Sequence, residues 1–200
     1  DLTKPHKALY APSAKEPVIA TVPPFNYLML DGKGDPNHSP AYQAVVEALY
    51  QFSYTLKFAI KKAGGVDYKV MPLEGLWWAE DMSDFIAGRR DDWLWTMLIL
   101  QPEPVTPDWV EKTRVQLLAK KDSSPLCEKV RFETYDEGLS VQLMHIGPYA
   151  AEGPNIARMH AFANEQGCRL RGKHHEIYLS DPRRAAPEKM KTVLRQPIAA

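Results

Sequence analysis

The chain is poor in cysteine, has no long apolar run and carries no excess of either charge, and each shortage removes a class of protein. Cys127 and Cys168 are the only cysteines, so one bridge at most could form and a disulfide framework is excluded. Two thiols without a framework fit a reduced, cytoplasmic protein. Lysine plus arginine number 25 and aspartate plus glutamate also 25, giving a formal net charge of zero. A generic nucleic-acid binder needs a basic surplus to release counterions from phosphates, so no direct nucleic-acid partner is expected. No apolar stretch approaches the roughly 18 residues that a membrane span requires. The segment that begins at Asp1 has no signal-like apolar run. A neutral, soluble protein with no membrane partner is expected, and its oligomeric state is not fixed by the sequence.

Common chemical signatures are missing as well. Gly32-Lys33-Gly34 has no third glycine in place and no following Gly-Lys-Ser/Thr, which argues against nucleotide binding. There is no Gly-x-Ser-x-Gly nucleophile elbow. His174 and His175 are neighbours on a strand-like run and point to opposite faces, so they cannot clamp one metal ion. His145 and His160 have no Cys or His partner at ligand spacing. Neither a metal nor a cofactor is expected, and His145 reads as a satisfied core or groove histidine.

Prolines, glycines and apolar periodicity organise the 200 residues. Two strand-like runs, Val18 to Val22 and Phe25 to Leu30, flank Pro23-Pro24. Ser39 and Pro40 open a helix with Val45, Leu49, Phe52, Leu56 and Ile60 on one stripe. Lys57, Lys61 and Lys62 suit its negative end, and Gly64-Gly65 stop it. Strand-like runs follow at Tyr68 to Met71, Leu76 to Ala79 and Asp92 to Leu100. A connecting helix runs from Thr106-Pro107-Asp108 to about Lys121, with Val110, Arg114 and Leu117 inward. Val130 to Tyr135 and Leu139 to Ile146 resemble a hairpin about Asp136-Glu137-Gly138. A helix over about Asn155 to Gln166, a strand containing Glu176, a short helical piece after Pro187 and a strand near Thr192 to Ile198 complete the chain.

The second half echoes the first. Leu28-Met29-Leu30-Asp31-Gly32 and Leu143-Met144-His145-Ile146-Gly147 share Leu-Met-x-x-Gly before each main helix. Leu76-Trp77-Trp78 and Ile177-Tyr178-Leu179 follow the helices, which makes Trp77 and Tyr178 equivalent. The expected fold is α+β, with duplicated β-α-β-β modules at about 18–101 and 129–198 and a connecting helix at about 106–121. A pseudo-twofold axis would relate the modules, pair their antiparallel sheets and leave a central ligand groove.

Candidate chemistry concentrates on His174-His175-Glu176-Ile177-Tyr178-Leu179. Alternation puts Ile177 and Leu179 on one face and His174, Glu176 and Tyr178 on the other. That polar face is either solvated or suited to proton transfer and to gripping a polar ligand atom. Trp77, Trp78, Trp93, Trp95 and Trp109 crowd the first half, and Trp93, Trp95, Met97 and Ile99 share a strand face. Such a face is either core or the flat wall of a pocket. Glu74, Glu80, Asp81 and Asp84, beside Asp91-Asp92, read as a polar loop, and Arg183 and Arg184 as solvated or tied to nearby carboxylates.

His145-Ile146-Gly147-Pro148-Tyr149, the run His175-Glu176-Ile177-Tyr178-Leu179-Ser180-Asp181-Pro182-Arg183-Arg184 and the closing Leu194-Arg195-Gln196-Pro197-Ile198 together resemble the GyrI-like small-molecule-binding domain family. Pro72-Leu73-Glu74-Gly75-Leu76-Trp77 resembles its stand-alone branch. The resemblance spans the whole chain and implies a single domain over residues 1–200 with a central groove. It also implies one of three roles: effector domain of a multidrug-responsive regulator, gyrase-modulating protein, or hydrolase of DNA-alkylating cyclopropane compounds. A glutamate at the pocket floor of effector-domain members carries over to Glu176. No segment is left for a helix-turn-helix, which favours a detoxifying hydrolase of aromatic, electrophilic small molecules. In that reading Glu176 is the general base and Tyr178 a hydrogen-bond donor, with Trp77, Trp95, Met97, His145 and Tyr149 against the ligand. A carboxylate among indoles is expected to have a raised pKa. The alternatives are a non-catalytic multidrug-sequestering protein and a gyrase-modulating interaction protein.

Overall fold

The computed structural model describes residues 2–80 and 88–200, so Asp81 and Asp84 lie outside the described residues. In chain order the elements are α1 (Lys7–Tyr10), β1 (Val18–Val22), β2 (Phe25–Lys33), α2 (Pro40–Lys62), β3 (Leu73–Trp78) and β4 (Leu94–Leu100). They continue with α3 (Pro107–Leu118), β5 (Arg131–Tyr135), β6 (Gly138–Ile146), α4 (Gly153–Glu165), β7 (Arg169–Leu170), β8 (His174–Tyr178) and β9 (Lys191–Ala199). The fold is α+β, as expected. Contacts divide it into two units, residues 25–135 and residues 2–24 with 136–200.

The first unit is an antiparallel sheet in the order β3-β4-β2-β5. Helix α2 begins at Pro40, after an extended Ser39, and ends ahead of Gly64, whose positive φ of 83° turns the chain. Val45, Leu49, Phe52, Leu56 and Ile60 are buried along it. Trp77, Trp95 and Gly32 lie opposite one another across the sheet, as do Gly75, Met97 and Leu30. Opposed residues share a face, and α2 covers this one. The Tyr42 ring stands edge-on to Trp95 at 5.3 Å and lies 6.1 Å from Trp77.

Gly32 is glycine for a steric reason. A Cβ there would come within 2.0 Å of Trp95 Cη2, so the indole lies where a side chain would otherwise stand. Helix α3 belongs to this unit through Arg114, which donates to the carbonyls of Cys127, Glu128 and Val130 at 2.7, 3.0 and 2.9 Å. Two expectations change. Tyr68 to Met71 forms no strand. Glu74 is a buried residue of β3 rather than part of a polar loop, although Glu80 is exposed.

The second unit is antiparallel in the order β1-β6-β9-β8, with β7 also on β9. Val141, Leu143, Leu194 and Ile198 pack against Met159 and Ala163 of α4. Leu143, Leu194 and Glu176 lie opposite one another, as do His145, Thr192 and Tyr178. Glu176 and Tyr178 therefore share the face that α4 covers. The expected hairpin between β5 and β6 does not form: β5 pairs with β2, and β6 pairs with β1 and β9. Asp136-Glu137-Gly138 still turns the chain, with Gly138 at φ 69°, but it passes the chain from one unit to the other.

Gly32→Ala is expected to destabilise the protein by about 1–3 kcal/mol, because the fully buried Trp95 has nowhere to move. Urea unfolding followed by tryptophan fluorescence reads both the lost stability and the displaced indole.

Candidate ligand-binding and catalytic site

Glu176 is 9% exposed, which excludes the solvated-face alternative. Three donors meet its carboxylate. Tyr178 donates its hydroxyl to Oε2 at 2.8 Å, and His174 Nε2 approaches Oε1 at 3.0 Å. The third is Glu152, the residue before α4, whose carboxyl hydrogen-bonds Glu176. Alternation on β8 brings His174, Glu176 and Tyr178 together, and the start of α4 supplies Glu152.

A hydrogen bond between two carboxyls needs a proton, so the pair carries one charge rather than two. Burial alone would push Glu176 up, but the bonds from His174, Glu152 and Tyr178 and the charge of His174 hold it below the usual carboxylate range. That corrects the expected raised pKa of Glu176. Glu152 is the raised member, pushed to about 10 by its own burial and then by the neighbouring Glu176 charge. The N-terminus of α4 would favour an anion at Glu152, but burial and Glu176 outweigh it.

The surroundings fix this geometry. His145 Nε2 lies 3.0 Å from the Pro148 carbonyl, and its Nδ1 lies 2.9 Å from Asn155 Nδ2. This pairing assigns a neutral ring that donates from Nε2 and accepts at Nδ1. His145 thereby pins the turn carrying Tyr149, which is 40% exposed with its ring edge-on to Tyr178 at 5.6 Å. His160, on α4, is held below the usual histidine range by burial and by His174. Arg183 and Arg184 are exposed and paired with Asp181.

Trp77, Trp95 and Met97 belong to the first unit, where the two indoles join Trp93 and Tyr42 of α2 in one aromatic group. Trp77 and Trp95 are 6.5 Å apart, and Trp93 meets Trp77 edge-on at 6.0 Å. Trp95 and Met97 have no exposed surface, and Trp77 has 5%. Trp95 Nε1 donates to the Gly34 carbonyl at 3.1 Å, so its polar edge is occupied.

The other face of β8 carries a second buried polar group. His175 Nδ1 lies 2.6 Å from Glu137 Oε2, and Arg195 Nη1 donates to Glu137 Oε1 at 3.1 Å. Arg195 also donates to Gln142 and to the Leu9 carbonyl of α1, and Gln142 donates to the Ala8 carbonyl. This network ties α1 to the sheet. Burial would raise the Glu137 pKa, but His175 and Arg195 together hold it below the usual carboxylate range.

The chain belongs to the GyrI-like small-molecule-binding domain family, whose model matches residues 15–199. A solved structure described as an uncharacterised conserved protein from Listeria innocua is 42% identical. It has a TM-score of 0.90 and covers 100% of this chain and 99% of that one. A second, described as a hydrolase from Listeria innocua, is 40% identical with a TM-score of 0.87, and coverage is 100% and 99%. The C-terminal domain of EcmrR, 8% identical with a TM-score of 0.57 and coverage of 92% and 97%, shares the fold alone. No curated protein matches significantly. Among the described residues, no helix is long and apolar enough to cross a membrane.

Sequence reasoning missed Glu152 and the bond from His174 to Glu176. The His-x-Glu-x-Tyr spacing held the second signal. The first had none, since an acid at a helix start is ordinary.

Arg195→Met is expected to destabilise the protein by about 3–5 kcal/mol, because it strands a buried carboxylate. Glu137 has a depressed folded pKa, so its contribution is present above the usual carboxylate range and is lost as pH falls through the folded value. Denaturant titrations should show that acid-side loss in the native chain and a flatter profile in Glu137→Gln.

Proposed function

We propose that this protein binds planar, hydrophobic small molecules and hydrolyses electrophilic cyclopropane-bearing compounds of the DNA-alkylating kind, a detoxification carried out in the cytoplasm. The observation that carries the reading is the buried Glu176 carboxylate with the Tyr178 hydroxyl at 2.8 Å. The likeness to solved hydrolases at 40% and 41% identity supports it. The cytoplasmic placement rests on the two free thiols, Cys127 and Cys168.

Glu176 takes a proton from an attacking water. The water oxygen bonds to a ring carbon, and the strained carbon–carbon bond breaks. Its electron pair moves onto a conjugated carbonyl oxygen, to which the Tyr178 hydroxyl turns its one proton from Glu176 while Tyr149 assists. His145 acts through the turn it pins. Relief of ring strain supplies much of the driving force, so a carboxylate of lowered basicity suffices.

A sequestering protein without chemistry is the second reading. It is favoured by the three donors on Glu176, which make the carboxylate a weak base and a durable anion for a cationic ligand. Incubation with a cyclopropane-bearing alkylator, followed by mass measurement of the ligand, separates the two. A gain of one water supports hydrolysis, and an unchanged, co-eluting compound supports sequestration. Glu176→Gln should lower turnover by at least about 100-fold while retaining binding, the loss typical of a missing general base. Full activity in that variant eliminates the assignment. Because Glu176 titrates below the usual range, the native activity should persist in mild acid beyond an ordinary glutamate's titration.

A further inference from the structure

We infer that Glu152 is a second acid–base residue of this site, holding a proton that it shares with Glu176 and delivers during turnover. The inference rests on the hydrolase reading above and adds a residue to it. Three observations carry it. The two carboxyls are hydrogen-bonded, which two anions cannot be. Glu152 is only 6% exposed and its buried Oε1 meets no other donor, so its carboxyl is withdrawn from water with Glu176 as its polar neighbour. Glu152 also stands three residues after Tyr149, whose ring is exposed and touches Tyr178, so the pair lies beside surface that a ligand can reach.

The step balances with one proton on the pair throughout. Water bonds to the electrophilic ring carbon through its oxygen and gives a proton to Glu176. The carbon–carbon bond breaks, and its electron pair passes to the conjugated carbonyl oxygen. That oxygen takes the proton of Glu152. The pair begins with its proton on Glu152 and ends with it on Glu176, and transfer along their hydrogen bond restores the starting state. Tyr178 stays a hydrogen-bond donor and needs no ionisation. No external acid is consumed.

The groups facing the pair are His174 and Tyr178 from β8; behind them stand His160 of α4, near His174, Tyr149 of the intervening turn, against Tyr178, and His145 of β6 on the same sheet face as Tyr178. Glu137, His175 and Arg195 lie on the other face of the sheet. Activity therefore requires Glu176 ionised and Glu152 protonated, the two limits of one coupled pair. The alkaline limit belongs to Glu152, well above any ordinary carboxylate.

The test uses the full chain with carbon-13 in its glutamate carboxyls, followed by NMR from pH 5 to pH 11. One carboxyl signal is expected to remain in its protonated position at pH 7, to move only in the alkaline range, and to be absent in Glu152→Gln. If every carboxyl is ionised at pH 7, the shared proton does not exist and the inference falls. In parallel, turnover of a cyclopropane-bearing alkylator should drop at least 100-fold in kcat in Glu152→Gln, with KM changed less than a few-fold. The alkaline limb of the pH profile should disappear with it. Native kcat in that variant removes the catalytic role even if the NMR signal is present. Absence of turnover in the unaltered protein would instead defeat the hydrolase reading, and the NMR signal would still decide whether the proton is shared.

Discussion

A carboxylate withdrawn from water must be met by hydrogen-bond donors, and the way Glu176 is met organises the second unit. His174 and Tyr178 reach it because they stand two residues to either side on the same strand face. Glu152 reaches it because α4 is laid over that face by Met159, Ala163 and the leucines beneath them. The packing of an ordinary helix on a sheet thus decides where a proton sits. The strand takes part in two buried polar groups, one on each face, and each combines a histidine, a glutamate and a further donor. The two differ in partners. Glu137 is met by arginine and histidine and serves to tie down α1, whereas Glu176 is met by His174, Tyr178 and a second acid, Glu152.

The first unit uses the same order of elements for another purpose. Its sheet carries Trp77 and Trp95 where the second carries polar side chains, and Gly32 makes room for the indole. Under the sequence echo, Gly75 stands where Glu176 stands, so one repeat bears the acid and the other bears none.

Much of this was readable from the residues. Ser39-Pro40 and Gly64-Gly65 bracket α2 because helix ends are local chemistry, and the bounds observed are those expected. The alternation that set Glu176 apart from Ile177 is a property of a single strand, and it held. The hairpin between β5 and β6 did not, because Asp136-Glu137-Gly138 has the local chemistry of a tight turn while partner choice is a long-range matter. Glu137 points its side chain into a buried ion pair there, which no turn signal reveals. The pKa of Glu176 was misread for a related reason. Burial was one of two alternatives, and the donors that outweigh its effect include Glu152, 24 positions away in sequence. A lone acid at the head of a helix looks like ordinary dipole complementarity until the strand it touches is known.

The central claim is that water, activated by a carboxylate, opens the ring without a covalent intermediate. Single turnover in water enriched in oxygen-18, with protein in excess over a cyclopropane-bearing alkylator, tests it most directly. The account predicts a product carrying one heavy oxygen and protein carboxyls that carry none. Ordinary oxygen in the product together with label in Glu176 would show that the carboxylate itself attacked, and an unopened ring would show that it does neither.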